Sequence, residues 1–193
     1  MPKLGMEPIR RAALVKATID CIGQAGSLDV TVSQIAKAAG MSPALAHHYF
    51  GAKDEMFLAA MRHILGLYGG AVSAALAGAG TPRARLEALI RASFEAGQFR
   101  GAVVSAWLNF YVQAQTAPEA QRLLRIYQRR LRSNLVHDLR PLVGGRAFAV
   151  AEMLAALIDG LYIRAALDRD NADPAGSAAR VLEMLDLLIG EVT

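Results

Sequence analysis

Residues 31–50 read TVSQIAKAAGMSPALAHHYF, and this stretch decides the fold. Thr31 and Gln34 form a capping-box pair, in which each side chain can satisfy a backbone N–H left open at a helix start. Val30 and Ile35 hold the hydrophobic-staple positions around the same cap. The spacing predicts a short helix over 32–39, with Ile35, Ala36 and Ala39 as its narrow apolar stripe. Gly40 then supplies a tight, left-handed cap. Ser42 is a second N-cap, and Pro43 takes the first helical position, where a missing N–H costs nothing. A second helix follows over 43–50. Two short capped helices joined through a glycine, with alanines where they cross, meet the requirements of a helix-turn-helix.

That geometry sends the second helix into a DNA major groove by its N-terminal end. Leu45, His48 and Tyr49 share one side of it, while Ala46 and Phe50 face the core. Pro43, Ala44, Leu45, His47 and His48 are then available to base edges or thymine methyls, and Ser42, at the start of the helix, is a further candidate DNA-binding residue. Tyr49 and Lys53 suit phosphate oxygens, with Thr31 and Ser33 as lesser phosphate ligands. On periodicity alone, a structural hairpin with good caps fits the same pattern. His47 and His48 do not suggest a metal, because adjacent helical residues diverge by ~100° and cannot share one ion.

Outward from this motif the chain of 193 residues is helical in composition and 54% hydrophobic, enough for one ordinary domain or two small ones. Alanine and leucine dominate, and no period-two run announces a strand. Loops are expected at 23–29, 78–82, 116–118, 141–145 and 168–176 from their Gly, Pro and Asx content. A first helix over 8–24 would place Ile9, Ala13, Ala17 and Cys21 on one stripe, with Leu14 and Thr18 beside it. Cys21 is the only cysteine, which excludes an intrachain disulfide and a thiolate cluster and fits a small core residue. No apolar stretch reaches the ~18 uncharged residues of a membrane span, since 153–167 is interrupted by Asp159 and Arg164. The first eleven residues lack the apolar core of a signal peptide, so a cytoplasmic protein is expected. Net charge is +4, but residues 83–146 carry eleven arginines against four acids, away from the DNA-binding motif. The arginines of 122–140 therefore read as a solvated helix face.

The capped run from Thr31 through Gly40, then Ser42, then His48-Tyr49-Phe50, Lys53 and Phe57, resembles the signature of the TetR family of repressors. The resemblance implies Tyr49 and Lys53 on phosphates and the residues after Ser42 on bases. Ala44, Ala46 and His47 depart from common family residues, which bears on operator sequence. A narrower likeness spans nearly the whole chain. The start MPKLGM with Ile9-Arg10-Arg11, the AWLNF of 106–110, the RRLRSNLV of 129–136 and the AALIDGLYIRAAL of 155–167 resemble the family's choline-responsive betaine regulators (BetI type). This implies an all-α regulator: a three-helix DNA-binding domain at 8–68 and a larger ligand-sensing and dimerisation domain at 69–193. It further implies repression of genes that convert choline to the osmoprotectant glycine betaine, with choline as effector.

The second half can be read residue by residue. Trp107, Phe110 and Tyr111 line one helix face at i, i+3, i+4, as core packing or as a binding surface. Asp159 lies in a segment apolar on every side, where an unpaired carboxylate is costly. Arg164 is about 140° around the helix, so an arginine from another helix or a cationic ligand must answer it. Aromatic faces hold a quaternary ammonium through the ring quadrupole. Trp107, Phe110, Tyr111, Tyr127, Tyr162 and Asp159 could build such a pocket, with Glu95 and Asn109 as further polar candidates. Leu154, Leu157, Ile158 and Leu161, then Leu182, Leu185 and Ile189, offer stripes wide enough to cover a second copy. They resemble the family's dimer helices and point to an isologous homodimer on a palindromic operator.

Other functions remain open at this stage. One is a repressor of an efflux or catabolic operon that answers to another cationic or lipophilic compound. Another is a helical carrier without DNA binding. An enzyme is not expected: there is no Ser/His/Asp or Cys/His order, no metal-ligand spacing and no phosphate-binding glycine loop. His63 and His137 are isolated, and no cofactor is implied.

Overall fold

The helix-turn-helix forms as its caps dictate. In the computed structural model, which describes residues 5–168 and 171–190, Thr31 Oγ1 accepts from the Gln34 N–H at 3.1 Å. The Gln34 side chain accepts from the Thr31 N–H at 2.7 Å, closing the capping box. Helix α2 (Val32–Ala38) ends in a Schellman motif: Met41 N–H reaches the Ala36 carbonyl at 2.9 Å and Gly40 N–H the Lys37 carbonyl at 3.1 Å. Gly40 has φ +67°, the left-handed conformation that this closure needs. Ser42 Oγ accepts from Leu45 N–H at 3.2 Å and starts α3 (Pro43–Phe50).

Helix α1 (Met6–Ala25) precedes this pair, and α4 (Lys53–Ala77) follows it. Then come α5 (Pro82–Ser93), a 3-10 turn (Ala96–Phe99), α6 (Gly101–Gln113) and α7 (Pro118–Val143). A second 3-10 turn (Gly144–Arg146), α8 (Ala147–Leu167) and α9 (Pro174–Gly190) complete the order. Among the described residues there is no strand, so the fold is all-α.

The chain divides into two compact units. The first comprises residues up to Gly66 together with Arg100–Arg122, and the second Leu67–Phe99 together with residues from Leu123 onward. Residues 100–122, which the sequence reading places in the second domain, thus group with the first unit. There α1 packs along α6, and Gly23 allows the approach: a Cβ on it would stand 2.5 Å from that of Ala102. Asn109 of α6 donates to the Gly26 carbonyl at 3.2 Å, at the C-cap of α1. Leu14, Ala17, Thr18 and Ile22 are the buried face of α1, whereas Ile9 is 62% exposed. The stripe is therefore rotated from the expected one. Cys21 sits at its edge, partly exposed, and burial with the nearby Asp20 raises its thiol pKa.

In the second unit α9 packs on α8 and α5. Arg85 of α5 donates to Asp138 of α7 at 2.8 Å and to the Leu76 carbonyl in the last turn of α4 at 3.0 Å. Asp138 is only 3% exposed, so this pair holds a charge that would be costly if left alone. Arg83 donates to Asp186 of α9 at 2.7 Å.

Several expected loops are shorter than read. Gly23 lies inside α1. Pro141 lies inside α7, two residues before its end, where one missing backbone bond disturbs little. Pro174 opens α9 behind Asp173, whose side chain accepts from Gly176 N–H at 2.8 Å. Residues 1–4, part of the likeness noted above, and 169–170, inside the expected 168–176 loop, lie outside the described residues.

Candidate DNA interface and effector site

The first unit displays the residues expected to meet DNA. Thr31, Ser33, Ser42, Pro43, Ala44, His47 and His48 are exposed, and Leu45 and Tyr49 are partly so. Ala46 is wholly buried, which seats α3 against the core and turns its other sides outward. Phe50, expected in the core, is only partly buried and lies beneath Arg11, whose guanidinium carbon is 4.4 Å from the ring centroid. His47 Nδ1 contacts the Gly51 carbonyl and so helps close the end of α3. Lys53 differs from expectation: its Nζ donates to the Leu28 carbonyl at 3.0 Å, in the loop between α1 and α2. Its charge is still partly exposed.

The candidate effector residues divide between the units. In the first, Phe110 is fully buried and packs on Phe57 and Trp107, with centroids 6.4 and 5.9 Å away, so it is a core residue. Trp107 and Tyr111 lie 5.7 Å apart. Asn109 is committed to two backbone carbonyls, Gly26 and Ser105.

In the second unit Asp159 and Tyr162 share one face of α8 at i, i+3. Tyr127 of α7 donates its O–H to Asp159 Oδ1 at 2.9 Å. Tyr68 lies 5.8 Å from the Tyr127 ring and donates to or accepts from Ser93 Oγ at 2.9 Å. Phe99 lies 5.2 Å from Tyr162, whose hydroxyl donates to the Gln98 carbonyl at 3.0 Å. Phe94 stacks on Phe99 at 6.4 Å. Glu95, though next to Phe94 in sequence, is exposed. Tyr68, Phe94 and Phe99 escaped the sequence reading. For the two phenylalanines the only sequence signal is the SFEAGQF run of 93–99, two aromatics around a turn, and Tyr68 carries none.

Electrostatics single out Asp159. Burial raises its pKa above the ordinary carboxylate value, and the Tyr127 hydrogen bond opposes that rise. Among the described residues no lysine or arginine pairs with it. Burial also pushes the Tyr68 hydroxyl up to about 12, with the Asp159 charge adding to the rise, and burial raises Tyr162. A carboxylate short of a cation, hydrogen-bonded to Tyr127 and with its charge felt at Tyr68, is chemically suited to a positive ligand.

Residues 14–60 match the profile of bacterial regulatory proteins of the tetR family, and residues 82–190 that of the BetI-type transcriptional repressor C-terminal domain. The chain belongs to the TetR family, in its BetI-type branch. The HTH-type transcriptional regulator BetI of Brucella suis is 55% identical over 182 residues, 94% of this chain and 92% of that one. A transcriptional regulator from Pseudomonas aeruginosa PAO1 superposes with a TM-score of 0.85 at 27% identity, covering 98% of this chain and 94% of that one. A regulator from Saccharomonospora viridis, solved in complex with choline, has the same fold: TM-score 0.80, 23% identity, 91% and 95% coverage. This BetI-type chain is accordingly a DNA-binding transcriptional repressor, not an enzyme, with a helix-turn-helix ahead of a helical C-terminal domain.

Proposed function

We propose that this repressor controls genes that convert choline to glycine betaine, with choline as its effector. The observation that carries the reading is Asp159: a partly buried carboxylate, short of a cation, within the Tyr68–Tyr127 and Phe99–Tyr162 aromatic groups. A quaternary ammonium cannot donate hydrogen bonds, so it is held by ring faces and a nearby negative charge. The BetI name of the Brucella relative and the choline bound by the Saccharomonospora regulator support the same assignment. On the DNA side, Pro43, Ala44, Leu45, His47 and His48 read bases, with Ser42 at the start of the same helix beside the DNA. Tyr49, Lys53, Thr31 and Ser33 meet phosphates, Lys53 after exchanging the Leu28 carbonyl for a phosphate oxygen.

The working form is a homodimer on a palindromic operator. Phe148 and Met153 of α8 are 58% and 50% exposed, and Leu187 of α9 is 57% exposed. Between Pro118 and Leu167 one stretch is apolar and long enough, by length and composition, to cross a membrane, with a third of it buried. Asp159 and Arg164 interrupt α8, and α8 packs on α9 as a core helix does, so a second copy suits this surface better than lipid. Choline then shifts a population: it binds more tightly to the form whose recognition helices are mis-spaced for DNA.

The test is fluorescence anisotropy of a labelled duplex from the promoter beside the chain's own gene. Salt-sensitive binding that choline weakens or alters is the expected result. Binding indifferent to choline would keep the repressor and remove choline as its signal, turning attention to other cations.

A further inference from the structure

We infer that α1 supplies a DNA phosphate site of its own, formed by Arg10 with the Tyr49 hydroxyl and held in place by Arg11. The inference rests on α3 facing DNA. Both arginines precede residues 14–60, the segment that matches the tetR profile, and no DNA contact read above includes them.

Neighbouring helical side chains point ~100° apart, yet both arginines reach the same residue of α3. Arg11 Nη1 donates to the Tyr49 main-chain carbonyl at 2.6 Å. That carbonyl lies in the last turn of α3, where no helical N–H is available. The Arg11 guanidinium also covers the Phe50 ring. A charge-assisted bond and a cation–π contact together fix the end of α3 against α1.

Arg10 deals with the side chain of the same tyrosine, its Nη1 lying 3.5 Å from Tyr49 Oη. In this pair the guanidinium donates and the phenol oxygen accepts. The phenol proton stays available, as do the remaining guanidinium N–H groups. Both residues are partly exposed, and among the described residues neither Arg10 nor Arg11 forms an ion pair. Two donors from two helices, one of them a full positive charge with no carboxylate to neutralise it, suit a phosphodiester. The recognition helix carries Tyr49, so docking α3 would bring this pair to the backbone beside the groove. Arg10 is thus a backbone contact and Arg11 a positioning residue.

Salt dependence separates this role from simple packing. Each neutralised phosphate contributes about 0.9 to the slope of log affinity against log salt. The full-length chain, Arg10→Ala and Arg10→Lys would be titrated with the promoter duplex and with an unrelated duplex across a range of salt. Arg10→Ala is expected to lower the slope by about 0.9 and to weaken both duplexes by the same factor, because phosphate contacts carry no base sequence. Arg10→Lys should restore the slope, with circular dichroism melts confirming that all three fold alike. An Arg10→Ala slope equal to wild type overturns the inference, even if affinity falls. Wild-type chain without salt-dependent binding would instead remove the DNA reading beneath it, and the inference with it.

Discussion

Replacing Asp159 with asparagine should move two observables in opposite directions. Without ligand, the carboxylate is desolvated, receives one hydrogen bond from Tyr127 and lacks a cation. An amide oxygen can accept the same bond without a buried charge, so Asp159→Asn should leave the free protein as stable as wild type or more stable at neutral pH. With choline the sign reverses. A carboxylate and an ammonium about 4 Å apart attract by about 1 kcal/mol in water and about 4 kcal/mol at the effective dielectric of a protein site. Asp159 is partly exposed, so a loss of ~2 kcal/mol is expected, roughly thirty-fold in Kd. The ring faces would still contribute, leaving weak binding rather than none. Calorimetric titration with choline and with its uncharged carbon isostere, beside a thermal melt, reads both effects. Wild type should prefer choline strongly, and the variant should lose most of that preference. A variant with wild-type choline affinity would refute the argument. So would one that loses affinity and stability together, the mark of a purely structural carboxylate.

Three further outcomes follow from the same geometry. Because the folded-state pKa of Asp159 is raised above 3.8, the stability this group contributes is fully present below that value and is lost as pH rises through the raised pKa. Choline needs the ionised form, so its affinity should climb with pH through the same window, with protons released on binding, and Asp159→Asn should flatten both trends in calorimetry. Gly23→Ala would force α1 and α6 apart, since the new Cβ would meet Ala102 Cα at 2.6 Å. Overpacking of about 1–3 kcal/mol should lower Tm by about 2–12 °C, and Ala102→Gly in the same chain should recover most of it, whereas an unchanged Tm would contradict the close approach. Leu187→Glu with Phe148→Glu should yield monomers in light scattering and weaken operator binding, and a persistent dimer would place the interface elsewhere.

The helix-turn-helix was legible because its determinants are local. The Thr31–Gln34 box, the Gly40 cap and the Ser42–Pro43 start each operate within about one helical turn, so their geometry follows from residue type and spacing. Local signals failed where two of them competed. Pro141 and Pro174 both read as breakers, yet one sits near a helix end and the other opens a helix behind Asp173. The rotation of the α1 stripe had another cause: α1 meets α6, about eighty residues further on, and that partner decides which face is buried.

The candidate effector residues show the same limit more sharply. Asp159 declared itself because a carboxylate in an apolar helix is an anomaly that one sequence can display. What surrounds it is not. Tyr68 meets Tyr127 across 59 positions of chain, and Phe99 meets Tyr162 across 63. Nothing in the local pattern of either partner encodes those encounters. The Trp107–Phe110–Tyr111 face satisfied the periodicity test better than any of them. Even so, the structure makes Phe110 a core residue against Phe57 and commits Asn109 to backbone carbonyls. Periodicity reports that a face is apolar; it does not say whether a ligand or the protein itself will cover it. A buried charge is the better guide, because packing alone cannot satisfy it. That is why the carboxylate, and not the tryptophan, is the residue on which the effector assignment should stand or fall.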